Sequence, residues 1–478
     1  MSLDITHNPY RRTKIVCTIG PNTSLAPMIK ELLQAGMDVA RINFSHGTHK
    51  EHTRYIKTLR RAAKQAGMPL AIMQDLPGPK DRTGKLKRSS IELKENADFI
   101  LTTREILGDE TRVSVGLPYL PSIVKPGDTI FLDDGNIELK VAATSKTEVS
   151  CQVVTGGKLG DDKGINIPGI TWDAPTITNE DWNHILFGLK HNVDFIALSF
   201  IREASDVVKV RKFLQKKTPA LIAKIERREA LDNLDEILEA ADGAMVARGD
   251  LGIEIPIQRV PIVQKEIIQK CNRLGKAVIV ATQILESMVN APRPTRAEAT
   301  DVANAIFDGA DALMLSEETA VGNYPVEAVS MMSQIALEAE TALPYEEILT
   351  NKGKDLQPQT DDAISYAACH TAHQLGAAAI IAFTSSGSTA RRVAKYRPKM
   401  PILAITPSPV TQRQLALSWG VRAFQIPEPS KIAMLFTRGA RVAKRTGLAQ
   451  DGDLVVITGG VPIGISGSTN LLKVEKIK

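Results

Sequence analysis

Along most of this chain, short apolar runs alternate with longer segments whose apolar residues recur every three to four positions. The first such runs fall at 15–19, 37–42 and 70–74, with helical patterns at 25–34 and 49–66 between them. The alternation resumes after residue 175, with predicted strands at 195–198, 221–225, 244–247, 277–281 and 312–315, each followed by a helical pattern. Taken together these make eight βα units over roughly 250 residues, the pattern of a (β/α)₈ (TIM) barrel.

Two stretches break the rhythm. Brief β-branched segments at 91–93, 99–102, 129–132, 137–141 and 148–154 are separated by Pro-Gly, Asp-Gly and Gly-Gly turns, which predicts a small all-β unit inserted after the third strand. A polar stretch at 351–361, NKGKDLQPQTD, reads as a linker, and beyond it a second α/β pattern has strands at 379–382, 402–405 and 454–457. The expected fold class is therefore α/β. A barrel is expected over 1–83 and 171–350, a β-barrel-like insert over 84–170 and a C-terminal α/β domain over 358–478.

Within the barrel pattern, 221–254 reads as strand, helix, strand, with Ala230, Leu231, Leu234, Ile237 and Leu238 forming one apolar stripe. Lys224 and Glu226 stand two apart at a strand end and so emerge on one face. The next strand runs into Arg248-Gly249-Asp250. A lysine and two acids thus converge at the carboxyl ends of parallel strands, where such folds bind ligands, and two carboxylates there suit a hard divalent cation. The competing reading of Lys224 and Glu226 is a structural ion pair. Arg41, Asn43 and Ser45 alternate in the same way in ARINFSHG, which suits an anion, against the alternative of a solvated strand end. Asp75 closes the third strand before an abrupt Pro/Gly exit, a hinge if nothing more, with Arg82 just beyond. Thr282 offers a hydroxyl at another strand end, and His46 suits capping or packing as well as chemistry. In FTSSGSTARR the hydroxyls of Thr384, Ser385, Ser386, Ser388 and Thr389 and the turn at Gly387 open a helix, an arrangement that serves phosphate binding or ordinary capping.

Composition narrows the classes. Apolar residues make up 43% and charged residues 24% of the 478, which is ordinary for a globular protein. The net charge of +5 comes without a basic run, and aromatic content of 4% is thin for base stacking, so nucleic acid is not an expected partner. The four cysteines are scattered, which predicts neither disulfides nor zinc and fits a reducing cytoplasm. No apolar stretch is long enough to span a membrane and the N-terminus has no signal-peptide core.

The ordered set TKIVCTIGP, ARINFSHG, LIAKIE, MVARGDLGIEIP, VATQILESM, PRPTRAEATDVANAIFDGADALMLSEETAVGNYP and GVPIGISGSTN resembles the pyruvate kinase family over nearly the whole chain. The resemblance implies transfer of the phosphoryl group of phosphoenolpyruvate to ADP, giving ATP and pyruvate at the last step of glycolysis. It implies that the β insert acts as a lid and that the C-terminal domain takes a phosphorylated effector. Glu226 and Asp250 would hold Mg²⁺ or Mn²⁺, and Lys224 would neutralise charge on the moving phosphoryl group and the enolate. Arg41 would bind the phosphoryl group, and Thr282, Asp250 and the backbone of Gly249 would meet the substrate. Asn43, Phe44, Ser45, His46, Arg82 and, from the lid, Lys163 would contact the nucleotide. A homotetramer is implied, and no further C-terminal phosphohistidine-like module is expected.

Members that need K⁺ carry Asp-Thr-Lys-Gly-Pro-Glu where this chain has Asp75-Leu76-Pro77-Gly78-Pro79-Lys80. Asn43, Ser45, Asp75 and Leu76 would line a K⁺ site, and the ammonium of Lys80 is expected to replace the ion. Asp81 also departs from the family pattern, where an apolar residue is usual. Thr384 to Thr389 matches the effector phosphate loop without distinguishing a sugar phosphate from AMP. Two rival readings remain at this level: a Mg²⁺-dependent 2-oxo acid lyase or aldolase, against which Lys163 argues, and a non-catalytic effector-sensing scaffold.

Overall fold

The computed structural model describes residues 10–79, 81–170, 175–215, 218–428, 432–462 and 467–478. Lys80 and positions 463–466 of the GVPIGISGSTN motif lie outside them.

The eight apolar runs are strands β1 (Lys14–Thr18), β2 (Val39–Asn43), β3 (Ala71–Asp75), β4 (Phe195–Leu198), β5 (Ala220–Ile225), β6 (Gly243–Ala247), β7 (Ala277–Ala281) and β8 (Ala312–Leu315). All are parallel to their neighbours and close in sequence order into one barrel. The runs are apolar at nearly every position because both faces are covered. Val16, Val39, Met73, Ala197, Ile222, Met245, Ile279 and Met314 fill the barrel, while Ile15, Ile42, Ile72, Ile196 and Leu221 pack outward against the helices. The second run begins at Val39 and not at Met37, because the carboxylate of Asp38 turns aside to accept from Ile15 N at 2.9 Å.

The helices that matter for the rim are α1 (Ala26–Ala35), α2 (His49–Ala66), α3 (Asn179–Lys190), α4 (Ala204–Leu214), α5 (Arg248–Glu254), α6 (Val260–Leu274), α7 (Arg296–Asp308) and α8 (Pro325–Thr341). Reciprocal capping boxes start α2 (Thr48 with Glu51), α3 (Thr178 with Asp181) and α7 (Thr295 with Glu298). Two expectations fail locally. The helix between β5 and β6 is two short ones, Arg228–Asp232 and Leu234–Ala240, broken at Asn233, whose side-chain amide donates to Arg202 O at 3.0 Å. The stretch 351–361 is not an extended linker: its ends belong to helices Tyr345–Lys354 and Thr360–Gln374, and only five residues join them.

The inserted segment has its own apolar core, including Phe99, Leu101, Ile130, Leu139 and Val153. Its strands form a six-stranded sheet in the order Ile165–Asn166, Thr129–Leu132, Ile137–Thr144, Glu148–Thr155, Asp98–Thr102, Arg112–Ser114, with Gly157–Gly160 pairing Ser90–Leu93 beside it. Among the described residues neither sheet closes on itself, in contrast to the barrel-like insert expected. The alternation of buried and exposed residues in Glu148–Thr155 is that of a half-covered antiparallel strand.

Among the described residues the C-terminal sheet has five strands where three were expected: β9 (Ala379–Phe383), β10 (Ile402–Thr406), β11 (Val421–Gln425), β12 (Leu454–Gly460) and β13 (Thr469–Lys476), in the order β11-β10-β9-β12-β13. Only β13 runs antiparallel to its neighbour.

Candidate active site

The barrel's inward-facing series turns polar one step above its apolar filling. Two residues beyond Val16, Val39, Met73, Ala197 and Ile222 stand Thr18, Arg41, Asp75, Ser199 and Lys224, and a further step from Lys224 stands Glu226. Strand alternation keeps each of these on the face of its predecessor, so five strands deliver polar groups to one mouth.

They bind one another. Asp75 accepts from Arg41 Nε at 2.6 Å and lies 3.2 Å from Lys224 Nζ. Arg41 Nη1 donates to Thr18 Oγ1 at 3.0 Å, and Lys224 Nζ donates to Ser199 Oγ at 2.7 Å and sits 2.9 Å from Glu226 Oε1. Asp75 and Glu226 are each about 1% exposed, so this is a buried ion network. Burial favours the neutral forms throughout. At Lys224 the two flanking carboxylates outweigh it and raise the pKa, and at Asp75 the two cations outweigh it and hold the carboxyl below its ordinary value. At Glu226 burial wins: the charge of Asp250 adds to it, Lys224 offsets only part, and the pKa is raised.

Glu226 is therefore short of positive charge. Its Oε2 accepts from Phe200 N at 2.7 Å, and the Lys224 ammonium, 2.9 Å from the buried Oε1, offsets only part of the cost of burying its charge. A divalent cation between Glu226 and Asp250 would supply what is missing, so the residues present fit Mg²⁺ or Mn²⁺. Among the described residues no cluster of three or more His, Cys, Asp or Glu forms a metal cage.

Asp250 lies in the first turn of α5, and Gly249 N donates to Thr282 Oγ1 at 2.8 Å while that hydroxyl donates to Ala281 O at 2.6 Å. Asp250, Gly249 and Thr282 line a cleft of about 960 Å³, which Asp128, Asp134 and Glu138 of the insert also line.

The residues assigned to a nucleotide are spread around the same mouth. Asn43 Oδ1 accepts from Ser45 N at 3.1 Å. Partial burial and the nearby guanidiniums of Arg82 and Arg41 lower the pKa of His46, so its imidazole lies within electrostatic reach of both arginines. Arg82 Nη1 donates to Asp162 O at 2.8 Å, and Lys163 Nζ is paired with Asp133 at 2.8 Å within the insert. The ring of Phe44 does not join them. Alternation turns it to the outer layer, 4.1 Å from the ring of His52 and 5.6 Å from that of Phe187, so only its backbone remains for a ligand. Leu76 is likewise buried, its carbonyl accepting from Ser199 Oγ at 2.6 Å.

In the C-terminal domain Gly387 adopts φ +87 at the start of helix Ser388–Lys395, and its N–H donates to Thr384 Oγ1 at 2.9 Å. A side chain there would meet the Arg391 guanidinium and Leu415. Ser385 O accepts from Thr411 Oγ1 at 2.8 Å and Ser386 Oγ donates to Ser388 Oγ at 3.2 Å. Thr389 shares a 2.8 Å hydrogen bond with Thr469.

Sequence reasoning passed over Thr18 and Ser199, which orient Arg41 and Lys224. Their only signal is a hydroxyl two residues beyond an inward-facing apolar position. It also treated Asp75 as hinge or K⁺ ligand, whereas it is the anion on which both cations converge.

Barrel and mouth define a (β/α)₈ protein with a buried network of two cations and two carboxylates at the carboxyl ends of its strands, where enzymes of this fold carry their sites. Comparison with known proteins narrows the class. Sequence models for "Pyruvate kinase, barrel domain" and "Pyruvate kinase, alpha/beta domain" match residues 10–329 and 362–475. The chain is 51% identical over 472 residues to a pyruvate kinase of Geobacillus stearothermophilus, an alignment covering 98% of this chain and 80% of the relative. It is 47% identical over 471 residues to one of Staphylococcus aureus (strain MRSA252), with the same coverage. The chain belongs to the pyruvate kinase family.

Proposed function

We propose a division of labour within this mouth for the family's reaction. That reaction, transfer of the phosphoryl group of phosphoenolpyruvate to ADP with release of pyruvate, is the reaction of this chain. Arg41 and Lys224 bind the phosphoryl group and neutralise its charge as it passes to ADP, preoriented by Asp75, Thr18 and Ser199. Because these cations are fixed before substrate arrives, they stabilise charge that develops in transfer without reorganising, and such preorganised donors contribute about 2.7–4 kcal/mol each. Glu226 and Asp250 would hold Mg²⁺ or Mn²⁺, which when bound would supply positive charge to offset that of the phosphoryl group and the enolate. The substrate carboxylate meets Thr282 and the backbone at Gly249, and the Thr282 hydroxyl turns its hydrogen from Ala281 O toward it.

Asn43, Ser45, His46, Arg82 and the Phe44 backbone contact the nucleotide phosphates. Lys163 joins them by leaving Asp133, so the segment 84–170 serves as a lid over the cleft. Lys80 takes the place of K⁺, the loop at Thr384 to Thr389 takes the phosphate of an effector, and the enzyme works as a cytoplasmic homotetramer. The observation that carries the reading is the convergence of Arg41 and Lys224 on Asp75 beside the buried carboxylate of Glu226. The test is a coupled assay with phosphoenolpyruvate and Mg²⁺. Pyruvate should form only when ADP is present, and ADP-independent pyruvate release would overturn the assignment.

A further inference from the structure

Thr282 and Gln283 both occupy the left-handed region, with φ of +67 and +52. For a β-branched residue this backbone is strained and needs support from its surroundings. The support is visible. Arg248, the first residue of α5, donates to Thr282 O from Nε at 3.2 Å and Nη2 at 2.7 Å, and to Gln283 O from Nη2 at 3.0 Å. Its Nη1 in turn donates to both carboxylate oxygens of Asp301 on α7, at 2.9 and 2.7 Å. One turn earlier on α7, Glu298 accepts from Ser287 N at 2.7 Å and Ser287 Oγ at 2.5 Å, which ties the far end of the same loop to the same helix. The strained pair is thus clamped from α7 through one guanidinium.

We propose that Asp301 is a positioning residue for phosphoryl transfer: by fixing Arg248 it holds Thr282 and Gln283 left-handed and so sets the Thr282 hydroxyl against Gly249. The inference rests on the reading of Thr282 as a substrate contact. An arginine released from Asp301 can rotate away from the two carbonyls, and the loop can then relax toward the ordinary right-handed or extended basins, carrying Oγ1 off the substrate. Misplacement by about 1 Å costs on the order of 100-fold in rate.

The test uses the full-length chain with Mg²⁺, phosphoenolpyruvate and ADP. Asp301→Asn should lower kcat by about 10- to 100-fold while leaving KM for ADP unmoved, and Asp301→Glu should restore part of the rate. In a Gln283→Gly background, where a left-handed backbone is no longer strained at that position, Asp301→Asn should cost less than it does in the parent. Should Asp301→Asn not fold, Arg248→Lys, which cannot span both Asp301 and the two carbonyls, should give the same kcat loss. Parent kcat in Asp301→Asn, no rescue by glutamate, or an equal loss in both backgrounds would overturn the clamp. Thr282→Ala run in parallel separates the two levels. If it is slow while Asp301→Asn is not, the clamp fails and the substrate contact stands; if it is silent, the substrate contact itself fails.

Discussion

Lys224 Nζ lies 3.2 Å from Asp75 Oδ1 although their strands, β5 and β3, are separated by β4. The contact bridges over β4, and Ser199, just beyond β4, donates to Leu76 O next to Asp75 while accepting from Lys224. Three consecutive strands are therefore tied together at the point where the substrate's phosphoryl group is expected.

Lys224→Met tests how this network divides between structure and chemistry. It leaves the buried oxygens Asp75 Oδ1 and Glu226 Oε1 without their ammonium. Breaking one side of a buried pair costs about 3–5 kcal/mol. We expect a melting midpoint well below that of the parent, partly restored by added Mg²⁺, and turnover lowered by at least about 100-fold. Phosphoenolpyruvate binding measured by calorimetry should persist; its loss, with turnover per bound substrate retained, would favour a purely structural ion pair.

Asp75→Asn should act on both cations at once, weakening the hold on Arg41 and Lys224. Because its neighbours depress the Asp75 carboxyl, its stabilising contribution is present above the ordinary carboxylate range and is lost as pH falls through the depressed value. The difference in denaturation midpoint between parent and variant should accordingly be large at neutral pH and shrink in acid.

Asp81 predicts the opposite slope. Burial pushes its carboxyl up to about 7, with the guanidinium of Arg227 offsetting only part. Between the ordinary carboxylate range and that value the folded chain holds a proton the unfolded chain has released, so stability falls as pH rises through the window. Asp81→Asn should melt above the parent at about pH 8 and close to it near pH 4, and an unchanged difference at both would refute this.

The sequence argument for Lys80 predicts equal turnover with and without K⁺. Lys80→Glu should introduce K⁺ activation, read as a rate increase on adding KCl at constant ionic strength. Strict K⁺ dependence of the parent would end the idea.

The barrel was legible because its strands are covered on both faces and therefore stay apolar from end to end, as in Ala244–Val246 and Val278–Val280. Lys224, Glu226 and Asp250 stood out against that background. Helix α5 did not, because Gly249 and Gly252 each cost about 1 kcal/mol of intrinsic helix propensity, and tertiary bonds through Arg248 hold the turn instead. The outer C-terminal strands were missed for a related reason: β11 and β13 are largely half-buried or exposed, so neither carries a continuous apolar run. The three-residue strand Arg112–Ser114 is too short to show a period at all.

The polar mouth continues the inward-facing series of the barrel, and this gives its set of residues a property that individual contacts do not. It is written as a phase. Inserting one residue near the end of β5 would exchange the two faces from that point on, sending the Lys224 and Glu226 side chains into the helical layer and bringing Ile225 inward, with every residue type still present. Inserting two would leave the phase intact and only raise the mouth by one pleat. Tolerance to insertions near the strand ends should therefore alternate between odd and even lengths.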